Sequence, residues 1–68
     1  MIDTSKLRGA IAESGLTQGK LAVQLGMTQK TFYCKMKKGV FDSDEMSDMV
    51  EILQLRDPVS IFFAKKGT

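Results

Sequence analysis

Lys30, Lys35, Lys37 and Lys38 fall within the run GMTQKTFYCKMKKG, residues 26–39, which contains no acid. Thr28, Gln29 and Tyr33 stand among them. A solvated helix face ordinarily mixes both signs of charge. An unmixed basic face suits a polyanion, whose condensed counterions the ammonium groups displace. The glutamine carboxamide donates and accepts at once and so matches the N6 and N7 edge of adenine. Lysine matches guanine O6 and N7, and a threonine methyl matches a thymine methyl. The chemistry within reach of this set is recognition by hydrogen bonding and charge, with no bond made or broken.

Composition narrows the alternatives in the same direction. The chain has 68 residues, which is one domain near the lower limit for a core that folds unaided. With no histidine and a single cysteine, Cys34, it offers no intramolecular disulfide and no zinc ligand set. There is no histidine–nucleophile pair and no phosphate-cradling glycine loop, so the expectation is a protein that is not an enzyme and uses no cofactor or metal. No stretch approaches the roughly 20 apolar residues of a membrane span, and no small-molecule ligand is expected. The start MIDTSKLRGA is polar and carries an acid, unlike a signal peptide. Together with the lone thiol, this points to the reducing cytoplasm of a cell.

The formal net charge of +2 conceals an asymmetry. Between Ser14 and Phe41 there are only basic charges, Lys20, Lys30, Lys35, Lys37 and Lys38. From Asp42 to Asp57 the acids Asp42, Asp44, Glu45, Asp48, Glu51 and Asp57 face only Arg56. A basic half followed by an acidic half orients a protein toward a polyanion without raising its net charge.

Caps and glycines divide the chain into helices. Asp3 or Thr4 caps a first helix carrying Leu7, Ala10, Ile11 and Ser14, and Gly15 stops it. Thr17 caps a second, short helix with Leu21, Ala22 and Leu25 inward and Gly26 at its end. Thr28 caps a third with Phe32 and Met36 inward, stopped by Gly39. Asp42 and Glu45 form a capping box ahead of Met46, Met49, Val50 and Leu53, the clearest amphipathic period in the chain, with Leu55 near its end. Asp57-Pro58 starts a last apolar turn through Val59, Ile61, Phe62 and Phe63, for which a short strand is the alternative to a helix.

The second and third helices carry the most specific spacing. In QGKLAVQLGMTQKTF, Ala22 supplies the small residue that two closely crossing helices need. Gly26 supplies the positive φ of a tight turn, and Leu21, Leu25, Met27 and Phe32 wedge the pair onto the core. This is the helix-turn-helix pattern, whose second helix enters the major groove.

Residues 17–39, TQGKLAVQLGMTQKTFYCKMKKG, resemble the helix-turn-helix of phage Cro/repressor-type transcriptional regulators. Gln18, Ala22, Gly26, Thr28 and Gln29 stand where that family's pattern wants them. The helix around EMSDMVEIL and the closing DPVSIFF extend the resemblance over nearly the whole chain. Lys35 departs from the pattern, since many members carry a large apolar residue there; Met36 is expected to fill the core instead. The fold so implied is all-α, a small bundle of four to five short helices over residues 1–68, of the lambda-repressor-like DNA-binding type.

Base-edge contacts are then expected from Thr28, Gln29, Lys30 and Tyr33 near the start of the third helix. Thr28 serves as cap and is placed to touch DNA as well. Tyr33 can reach a phosphate through its hydroxyl or pack on sugar and thymine methyls. Backbone contacts are expected from Thr17, Gln18 and Lys20 at the second helix, and from Lys35, Lys37 and Lys38. Those last three also complement the helix dipole, worth about 0.3–1 kcal/mol each.

The acidic helix is expected to face away from phosphates. Ile61, Phe62 and Phe63 hold more apolar surface than a small monomer needs. Part of it is therefore expected at a two-fold interface, as the resemblance to dimeric phage repressors implies. A homodimer would set two recognition helices about 34 Å apart, one DNA turn. The expectation is a Cro-like repressor of a phage or prophage, acting on double-stranded operator DNA in the bacterial host cell. Two rivals share the fold: an antirepressor or other protein-interaction module, and an accessory recombination protein that shapes DNA.

Overall fold

The computed structural model describes residues 2–63. Five helices follow one another: α1 (Thr4–Glu13), α2 (Gln18–Gln24), α3 (Gln29–Lys38), α4 (Ser43–Leu53) and α5 (Pro58–Phe62). There is no strand among the described residues, and none of these helices is long and apolar enough to cross a membrane.

Every helix begins on a side-chain cap three residues ahead of the N–H it satisfies. Asp3 accepts from Lys6 N at 3.0 Å, Thr17 from Lys20 N at 3.1 Å, Thr28 from Thr31 N at 3.2 Å, and Asp57 from Ser60 N at 3.3 Å. Asp42 accepts from Glu45 N at 2.8 Å, and Glu45 returns the bond by accepting from Asp42 N at 3.0 Å. That reciprocal box satisfies donors the helix itself leaves open. Pro58 occupies the first turn of α5, where its missing N–H costs nothing, and the tail is a helix and not a strand.

The exits of the first four helices share one device. A residue two or three places past the helix donates its N–H to the carbonyl five positions earlier: Leu16 to Ile11 at 3.2 Å, Met27 to Ala22 at 3.0 Å, Val40 to Lys35 at 3.1 Å and Leu55 to Val50 at 3.1 Å. Each such exit passes through one left-handed residue. Glycine takes that place in α1–α3, but after α4 it falls to Gln54, with φ 51°. Leu55, expected close to the end of α4, lies two residues past it and makes this closing bond.

The core is built from Leu7 and Ile11 of α1, Leu21 and Ala22 of α2, Phe32 and Met36 of α3, and Met49 and Leu53 of α4. Two further members come from outside any periodic pattern: Ile2 ahead of α1, and Phe41 between α3 and α4. The Phe41 ring lies 5.5 Å from that of Phe32, tilted by 50°. The hydrogen bond from Asp3 N to Ile61 O at 2.7 Å ties the cap of α1 to α5, and α5 docks against α1.

That docking corrects one expectation. Ile61 and Phe62, assigned above to a contact between copies, are core residues of the monomer, with 8% and 3% of their surface exposed. Facing residues of one short helix cannot all point the same way. Turning Ile61 and Phe62 inward leaves Val59 and Phe63, four apart on the outer side, 63% and 64% exposed.

Candidate nucleic-acid interface

Among the described helices, α2 and α3 pack against one another most extensively. Four residues, Leu25 to Thr28, connect them, with Gly26 at φ 76° reversing the chain. Ala22, fully buried, lets the two axes approach. The inward side of α3 is Phe32 and Met36, four apart, and every other residue of that helix except Lys35 is exposed.

Helical geometry then arranges the outward residues in rows. Gln29, Tyr33 and Lys37 lie at intervals of four along one row, with Lys30 and Cys34 in the adjacent row. A planar amide, a phenol, two ammonium groups and a thiol are thereby presented together on a surface without a carboxylate. Thr28 is exposed at the mouth of the helix, but its hydroxyl is occupied. It caps Thr31 N and donates to Thr31 Oγ1 at 3.0 Å, which leaves the methyl group for apolar contact.

On α2, Thr17 and Lys20 are exposed and Gln18 is half-buried. Thr17 spends its oxygen on the cap of its own helix, accepting from Lys20 N. Lys37 and Lys38 are exposed in the last turn of α3, beside the open carbonyls they complement.

Lys35 does not belong with them. Its ammonium is engaged by Glu45 Oε2 of α4 in an ion pair whose side chains are 32% and 15% exposed. At that position on the helical wheel a side chain faces α4 and not the open surface. Met36 fills the core, as expected from the departure at Lys35.

Two residues were not legible as part of this surface. Thr31 lies in the first turn of α3, exposed and coupled to the Thr28 hydroxyl; the spacing of three between the two threonines is the signal that marks it. Gly19 of α2 lies directly under Gln29: a Cβ built on it would stand 2.7 Å from Gln29 Nε2 and 3.0 Å from Cδ. Nothing in the sequence marks that approach, because it depends on how α2 and α3 cross.

No family model, curated protein or solved structure matches this chain.

Proposed function

We propose that the chain is a sequence-reading, double-stranded DNA-binding regulator of transcription, with α2 and α3 as a helix-turn-helix and α3 entering the major groove. The observation that carries this reading is the outward surface of α3. Gln29, Lys30 and Tyr33 stand in its first half and Lys37 and Lys38 at its end. No acid lies on that helix or on α2. A helix fits the major groove, and residues near its N-terminal end are those that meet base edges in this motif. The acids lie on α4, with Asp44 and Glu45 at its own positive end, and Glu45 engages Lys35 on the side of α3 turned from the outward lysines.

The resemblance of residues 17–39 to phage Cro/repressor-type regulators gives the finer reading: a small Cro-like repressor of a phage or prophage, acting on an operator in the cytoplasm of the bacterial host. In this reading Thr28 through its methyl, Gln29, Lys30 and Tyr33 read bases. Gln18, Lys20, Lys37 and Lys38 engage phosphates, and Thr17 orders the backbone of α2 beside them. A homodimer pairs through Phe63 and Val59, since these are the apolar side chains that α5 leaves outside.

The same two residues favour a second reading, a protein-interaction module of the antirepressor kind that keeps the fold and acts on another repressor. Selection of bound duplexes from a random pool at near-physiological salt separates the two. Enrichment of two inverted half-sites is the result expected of a dimeric reader, and a single half-site that of a monomeric one. A pool that emerges unenriched refutes sequence reading and leaves the interaction module.

A further inference from the structure

Gly19 and Gly9 are both glycines inside helices, and neither has the positive φ that would require one. Glycine is the poorest helix former after proline, so each position is costly unless something uses the missing side chain. Around Gly9 nothing lies within 4 Å of where a Cβ would be. Around Gly19 the three nearest atoms all belong to one side chain: Gln29 Nε2 at 2.7 Å, Cδ at 3.0 Å and Cγ at 3.5 Å. Real Cβ atoms are not found that close to a neighbour, so the amide of Gln29 occupies space that any other residue at 19 would fill.

The seat is steric. Among the described residues the Gln29 amide makes no side-chain hydrogen bond, so nothing else fixes its direction. Gln29 is also the first residue of α3, at the end of the helix where base edges are met in this motif. We infer that Gly19 is a specificity-determining residue that never touches DNA: its bare backbone lets the Gln29 carboxamide lie back over the first turn of α2, and this sets which base edge the carboxamide addresses. The inference rests on the DNA-reading function proposed above. An amide at the far end of a flexible side chain yields easily to a new methyl group. Gly19→Ala therefore moves the reader without disturbing the fold.

The test compares duplex selection by the wild type with selection by Gly19→Ala, Gln29→Ala, the double variant and Gly9→Ala, each checked for folding by circular dichroism melts. Gly19→Ala is expected to keep or raise the melting temperature. It should change the preference at one base pair by roughly fivefold or more, and Gln29→Ala should alter that same pair. The double variant should match Gln29→Ala alone, and Gly9→Ala should leave the profile as it was. A Gly19→Ala profile identical to that of the wild type overturns the inference while the DNA-reading function stands; so does an equal change from Gly9→Ala. A wild type that selects no motif overturns both. The seat itself is checked without DNA. A nuclear Overhauser contact between the Gln29 amide protons and the Gly19 α-protons is expected in the free protein, and its absence in a folded sample overturns the inference.

Discussion

Glu45 divides one carboxylate between two helices: Oε1 accepts the backbone N–H of Asp42 at 3.0 Å, closing the box at the start of α4, and Oε2 takes the ammonium of Lys35 from α3. The cap holds the carboxylate in one orientation, so Lys35 meets a preformed partner and loses less side-chain freedom than an ordinary surface ion pair does. The pair therefore fastens the end of α3 to the start of α4 and withdraws one lysine from the basic surface.

Lys35→Ala should lower stability by about 1 kcal/mol, and Glu45→Ala by about 2 kcal/mol because the cap is lost as well. Chemical denaturation measures both. The salt dependence of DNA binding should be unchanged in Lys35→Ala; a slope reduced by a full unit would return Lys35 to the phosphate contacts.

Lys37 is the counterpart. It is exposed, with no carboxylate among its hydrogen-bond or ion-pair partners in the described residues. Lys37→Ala should weaken binding to all sequences alike and reduce the salt slope by about one unit. Gln29→Ala and Lys30→Ala should instead relax preference at particular base pairs, each by about 1–3 kcal/mol. Titrations at several salt concentrations, on selected and scrambled duplexes, distinguish the two patterns. Identical behaviour of all three variants would abolish the division between reading and anchoring residues.

The two aromatic neighbours at the end of α5 should behave oppositely. Phe62→Ala empties a buried site and should cost about 3–5 kcal/mol, enough to unfold much of so small a protein at room temperature. Phe63→Ser should change monomer stability by no more than about 0.5 kcal/mol while weakening self-association in sedimentation equilibrium. Unchanged association in Phe63→Ser would remove α5 from the proposed dimer.

Gln54 is the one non-glycine residue with positive φ among the described residues, and it performs at the end of α4 what glycine performs at the ends of α1–α3. A side chain in the left-handed region costs about 1–2 kcal/mol, partly offset in the variant by the greater freedom of glycine when unfolded. Gln54→Gly should therefore raise stability by about 0.5–1 kcal/mol in a thermal melt, with DNA binding unaffected.

Much of this protein was settled by interactions that span three or four residues. The caps at Asp3, Thr17, Thr28, Asp42 and Asp57 are bonds to an N–H three positions on, and the stops at Gly15, Gly26 and Gly39 answer to local backbone geometry. The inward pairs Leu7 and Ile11, and Phe32 and Met36, follow from the helical period. All of these could be read along the chain because nothing distant takes part in them. Other features depend on how finished helices approach one another. Ile2 and Phe41 join the core from connections without a period to announce them. Lys35 pairs across ten residues with Glu45, and Gln29 finds its seat on Gly19 only because α2 and α3 cross there. Between Phe62 and Phe63, adjacent and chemically alike, sequence offers no preference. The docking of α5 on α1, tied by Asp3 N to Ile61 O, turns one inward and leaves the other on the surface.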